Sequence, residues 1–138
     1  MRTDRRDDQE RARASYGFPK TVRLSGSRQF RAVFKGRART AVGPLVIWGV
    51  PNGLEHARLG LSVSRRVGIA VRRNTIKRRL REAFRLMQHD WPRGYDVLIV
   101  VQPHEPLRLD EYQLLLARAG RDLHRKWIQR TEQHEAGF

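Results

Sequence analysis

The stretch "LSVSRRVGIAVRRNTIKRRLREAFR", Leu61 to Arg85, changes its period part-way along. Before Gly68 the chain alternates. Leu59, Leu61 and Val63 are apolar while Arg58, Gly60 and Ser62 are not, the pattern of a half-buried strand over Ala57–Ser64. After Gly68, apolar residues recur as Ile76, Leu80, Ala83, Phe84 and Met87. Those steps of four, seven, eight and eleven predict an amphipathic helix from about Ala70 to Gln88, ended before Pro92 and Gly94.

The same stretch carries nine basic side chains and one acid, Glu82. At about 100° per residue, Leu80, Ala83, Phe84 and Met87 fall within roughly 80° of Ile76. Asn74, Lys77, Arg78, Arg81 and Arg85 occupy a separate arc at roughly 100–200°. Lys77–Arg81 and Arg81–Arg85 are like-charge pairs at i,i+4, which destabilise an isolated helix. A bound polyanion would offset that repulsion, whereas a merely solvated face normally mixes signs. A basic amphipathic helix can also lie on lipid. Here the apolar stripe is needed to cover a sheet and lacks the bulky aromatics of an anchor. Arg65 and Arg66 before the helix, with Arg72 and Arg73 at its start, extend the stripe into a patch. Asn74 is either a reader of base edges or 2′-hydroxyls or a helix-terminus residue.

Working outward, "YDVLIVVQ", Tyr95–Gln102, is apolar on both faces, as in a central strand. "SRQFRAVFKG" predicts a short helix with Ser27 as cap, Gly36 as a left-handed terminator, and Phe30, Val33 and Phe34 on one face. "TAVGPLVIWGV", Thr40–Val50, is extended chain interrupted at Gly43–Pro44: a short strand plus a longer one, or one broken edge strand. A last helix spans about Leu109–Arg130, with Asp110 and Glu111 in its first turn and Tyr112, Leu115, Leu116, Ala119, Leu123 and Trp127 facing inward. The resulting class is α+β, with helices layered on a mixed sheet. The chain divides into a charged tail over residues 1–20, expected to be disordered, a single domain over 21–130, and a loose end over 131–138.

The whole chain has 138 residues, a net charge of +15 and no cysteine, with a pI near 11.6. That charge implies a polyanionic partner, most often nucleic acid. The absence of cysteine removes disulfides and thiolate metal sites and fits a reducing cytoplasm. No apolar run is long enough to span a bilayer, and the N-terminus lacks the apolar middle of a signal peptide. His56, His89, His104, His124 and His134 are scattered without metal-ligand spacing; His89–Asp90 reads as a helix-end pair, and Asp96 has no carboxylate partner. Nothing here assembles a nuclease active site, which would need clustered carboxylates.

The stretch Leu61–Arg85 resembles the signature of the bacterial ribonuclease P protein component. That pattern is a strand ending Ser-Val-Ser, two basic residues and a glycine, then Ala-Val, Arg-Asn, a Lys-Arg pair, and Arg-Glu before an aromatic. "LSGSRQFRAVFKGR" is similar to the family's first helix, and the order of elements agrees from about Val22 to Trp127. The resemblance implies a two-layer αβββαβα sandwich with about four strands and a left-handed βαβ crossover. It implies a subunit of an RNA-based, cytoplasmic endoribonuclease that removes 5′ leaders from precursor tRNA. The active site and its Mg2+ ions then lie in the partner RNA, with one protein per RNA and no membrane. Arg65, Arg66, Arg72, Arg73, Asn74, Lys77, Arg78 and Arg81 correspond to the family's RNA-facing patch, which Arg85 prolongs on the helical wheel. Phe30, Phe34 and Trp48 match a cleft for the single-stranded leader. By spacing alone both phenylalanines read more readily as core, and Trp48 is either packed or exposed. Thr75 stands where the family commonly has arginine. The competing expectation is a general ribosomal-RNA or tRNA-binding protein without a leader cleft.

Overall fold

The computed structural model describes residues 23–24, 26–87, 91 and 94–136. Expectations for residues 1–20, for the side chains of Ser27 and His134, and for His89–Asp90 fall outside that set. Helix α1 is Gly26–Lys35, strand β1 Arg39–Val42, β2 Leu45–Pro51 and β3 Arg58–Ser62. A single 3-10 turn, Arg65–Val67, leads into helix α2, Ala70–Met87; β4 is Tyr95–Val101 and helix α3 Leu109–Ala136. The four strands form one sheet in the order β1-β2-β4-β3. β1 and β2, and β2 and β4, pair antiparallel, while β3 and β4 pair parallel. This is the expected mixed four-stranded α+β fold, and α2 is the crossover between two neighbouring parallel strands.

β4 is central because it is apolar on both faces. Val97, Leu98 and Ile99 are all fully buried, each contributing roughly 1.5–3 kcal/mol relative to exposure. On one face Val97 and Ile99 meet Leu45 and Ile47 of β2, Leu59 of β3, Ile76, Leu80 and Phe84 of α2, and Tyr112, Leu116 and Leu123 of α3 in the main core. Leu98 points to the other face, where it clusters with Leu24 and Val33, packed against by Phe30, Trp48, Val50 and Val100. The layer of α2 and α3 on the sheet is the expected one; α1 covers part of the opposite face. The short helix's single apolar stripe fixed that it packs, but not which face receives it.

Gly43 and Pro44 form a two-residue hairpin turn between Val42 and Leu45, with φ +54° at Gly43. Of the two alternatives for Thr40–Val50, the short strand plus a longer one is therefore realised. Two expectations are corrected. Gly36 does not take the left-handed conformation after α1; Arg37 does, with φ 56°. Gly36 is required for space instead, since a Cβ there would lie 2.1 Å from Val50 Cγ1. The last helix also continues six residues past Arg130, so Thr131–Ala136, expected as part of a loose end, are helical. No helix among the described residues is long and apolar enough to cross a membrane.

Candidate nucleic-acid interface

The path from β3 to α2 positions the basic residues. Val67 is buried and anchors the turn, while Arg65 and Arg66 just before it are exposed. Gly68 follows with φ 149°, and a Cβ there would lie 2.7 Å from Arg72 Cδ, so the glycine lets the Arg72 stem fold back over the backbone. α2 buries Ile76, Leu80, Ala83 and Phe84, as its spacing predicts. Its polar arc accordingly faces out: Asn74, Arg78 and Arg81 are exposed, and Lys77 and Arg85 are half-buried.

The charges on this surface sort into paired and unpaired. Arg72 reaches Glu105 at 3.2 Å. Arg85 is held by Glu82, its Nε donating to Oε2 at 3.0 Å, and that contact lowers the Glu82 carboxyl pKa more than burial raises it. Arg79, on the inner border of the helix, donates to the Leu107 carbonyl at 2.7 Å and serves the fold. Arg65, Arg66, Arg73, Lys77, Arg78 and Arg81 have no acidic partner among the described residues. Partial desolvation of its otherwise exposed side chain, and to a lesser degree the neighbouring Arg23, lower the Arg81 pKa; an arginine still remains cationic at neutral pH. The Arg73 Nε is buried without a partner. The first turn of α2 holds no acid and carries Arg72 and Arg73, the reverse of what a helix N-terminus favours.

Asn74 is exposed within the helix rather than at its cap, four residues after α2 begins. Thr75 is tied locally, its hydroxyl donating to the Val71 carbonyl at 2.9 Å. It therefore leaves the basic arc uninterrupted while adding no charge to it.

The aromatic residues form a second surface on the α1 face of the sheet. Phe30 is half-buried over Gly60, where a Cβ would come within 2.8 Å of its ring. Phe34 is 38% exposed and meets Trp48 edge-on at 5.0 Å between ring centroids. Arg39 lies over the same indole at 5.4 Å. Phe30 is thus mainly packing, Phe34 mainly surface, and Trp48 the half-buried ring between Phe34 and Arg39. Sequence reasoning missed Arg39, although counting back from a two-residue turn at Gly43–Pro44 pairs it with Trp48. Leu24 and Arg23 link the two surfaces: Leu24 packs beside Phe30, its amide donates to the Leu59 carbonyl at 2.9 Å, and Arg23 bridges the outer edge of β3 near Arg81.

Other titratable groups serve the structure, Asp96 and His104 among them. Asp96 accepts from Arg58 Nε at 2.8 Å, Arg58 Nη2 at 2.7 Å and Asn52 Nδ2 at 2.8 Å. His104 bridges the Gln102 carbonyl and the Tyr112 hydroxyl, and that hydroxyl also accepts from the Leu107 amide. Among the described residues no group of three or more His, Asp or Glu side chains stands together.

Residues 18–125 match the family Ribonuclease P. The chain is 47% identical over 74 residues to the ribonuclease P protein component of Methylococcus capsulatus, covering 53% of this chain and 58% of that protein. It is 37% identical over 83 residues to that of Caldanaerobacter subterraneus subsp. tengcongensis, covering 60% and 72%. Among solved structures, the RNase P protein from Thermotoga maritima superimposes with a TM-score of 0.64 at 30% identity, covering 70% of this chain and 92% of that one.

Proposed function

The chain belongs to the ribonuclease P protein family, protein subunits of a tRNA-processing ribonucleoprotein whose catalysis lies in RNA, and on that premise we propose how its two surfaces divide the work. The basic surface of the 3-10 turn and α2 binds ribonuclease P RNA. The observation that carries this is the set of exposed cations without acidic partners: Arg65, Arg66, Arg78 and Arg81, joined by the half-buried Arg73 and Lys77. Each would neutralise phosphate and release a counterion, so affinity falls steeply with salt. Asn74 adds a donor and an acceptor on the same arc. Arg72 and Arg85 join once RNA competes with their carboxylates.

The aromatic surface receives the single-stranded 5′ leader of precursor tRNA. Unpaired bases stack on aromatic rings at roughly 1–3 kcal/mol each. Phe34 and Trp48 supply the rings, Arg39 the adjacent charge, and Phe30 the support beneath them. A general tRNA-binding protein needs no such corner. Mg2+ belongs to the partner RNA in this reading, the assembly has one protein per RNA, and its setting is the cytoplasm.

Reconstitution tests the proposal. The protein is mixed with a bacterial ribonuclease P RNA and precursor tRNA at low Mg2+, and leader removal is compared with RNA alone. Cleavage should rise; no increase would overturn the assignment. Phe34→Ala should weaken binding of precursor tRNA about 5- to 20-fold while leaving mature tRNA nearly unchanged. Equal losses for both would remove the leader cleft and favour general tRNA binding.

A further inference from the structure

Ile69 and Val71 are among the most exposed large apolar side chains of the described residues, at 74% and 72%. Ala70 between them is exposed as well. Isolated surface hydrophobics are ordinary, but this is a run of three, and it lies between Arg65–Arg66 and Arg72–Arg73 in the chain. The run is also rigidly held. Val67 is buried two residues before it, Gly68 sets the turn, the Ile69 carbonyl accepts the Arg73 amide at 3.0 Å, and the Val71 carbonyl accepts the Thr75 hydroxyl at 2.9 Å. Each main-chain contact fixes where an apolar side chain projects. None of them covers it.

We infer that Ile69 and Val71 are an apolar contact to RNA, packing on the exposed face of a nucleobase or ribose inside the arginine cluster. This rests on the RNA-binding reading above and deepens it. The occupant follows from charge: the arginines that flank the run in the chain, of which Arg65, Arg66 and Arg73 have no acidic partner among the described residues, and the net charge of +15 repel a second copy of this chain and select a polyanion. Phosphate contacts position an RNA without distinguishing one fold of it from another. A fixed apolar knob adds shape, because it fits where a base is unstacked or a sugar face is open and is rejected by a continuous phosphate surface.

The test uses the full chain and ribonuclease P RNA, with affinity measured across a series of salt concentrations. The Ile69→Ser/Val71→Ser variant should bind about tenfold more weakly at every salt concentration, with an unchanged salt slope, because no phosphate contact is lost. Val71→Ile with Ile69 retained should bind like the parent chain. Melting curves check that the serine variant folds, as expected for exposed positions. In parallel, Arg73→Ala should reduce the slope by about one. If Arg73→Ala flattens the slope and the serine variant binds within twofold of the parent, the apolar contact is wrong and the RNA interface stands. If Arg73→Ala and Arg78→Ala change neither affinity nor slope, the interface reading itself fails. Vesicles of anionic phospholipid form the last arm: binding that the serine variant loses while keeping its RNA affinity would overturn the inference in favour of a lipid surface.

Discussion

Among the described residues, Asp96 is the acid most deeply committed to structure. Only 8% exposed, it accepts two bonds from Arg58 and one from Asn52. From sequence it read only as an acid without a carboxylate partner; its cationic partner comes from the parallel register that sets Arg58 opposite it, which local pattern does not reveal. Asp96→Ala strands a guanidinium and an amide beside the sheet and should cost about 3–5 kcal/mol, measured by urea unfolding. Glu82 is a milder case. Hydrogen bonds from Arg85 depress its carboxyl pKa in the folded chain. The associated stabilisation is therefore complete above the ordinary glutamate range and is lost as acid takes the pH down through the depressed value. Since the Glu82 side chain is 41% exposed, the effect should be about 0.3–0.5 kcal/mol. Comparing Glu82→Gln with the parent in acid unfolding checks it: the difference should shrink on acidification, and a constant difference would exclude the linkage.

Among the elements, α1 is the one whose placement matters most for the leader surface, and it depends on Gly60. Gly60→Ala would push a methyl to 2.8 Å from the Phe30 ring and 3.0 Å from Leu24 Cβ. The helix must shift, at a cost of about 1–3 kcal/mol. Precursor tRNA binding should fall more than mature tRNA binding, measured at a temperature where both proteins are folded. The sequence made the change of period at Gly68, the central position of β4 and the buried stripe of α2 legible, because each is a repeated local pattern. It left open the face that α1 covers, since β2 and β4 are apolar on both sides and either could accept Phe30 and Val33. The length of α3 was also hidden: "TEQHEA" has no large apolar residue to announce a buried stripe, and its helix extends from the packed turns before it. Within the basic arc, which charges are paired could not be read from order alone. Arg72 finds its acid 33 positions away, at Glu105, whereas Arg85 finds one three positions back.

At the scale of the molecule, the basic surface is a burden on the protein before RNA arrives. Unpaired arginines and Lys77 on one helix and the turn before it repel each other, and Arg23 adds to the field at Arg81. Raising monovalent salt from about 10 to 150 mM shortens the screening length from about 30 to 8 Å. The melting temperature of the free protein should rise by roughly 2–5 °C over that range. A flat or falling melting temperature would mean that the ion pairs weakened by salt matter more than the repulsion. The rim of the sheet has its own consequence. β1 is only four residues long, and helix α3 reaches across to it: Lys126 donates to the Arg39 carbonyl, and Arg130 to the carbonyls of Gly36 and Arg37. The Arg39 carbonyl on edge strand β1, and those of Gly36 and Arg37 just before it, are already engaged by cations, which also deter an identical neighbour. A concentrated preparation without RNA should therefore sediment as single chains and resist conversion to fibrils, a form of colloidal protection built from the same arginine and lysine chemistry that the opposite rim devotes to RNA.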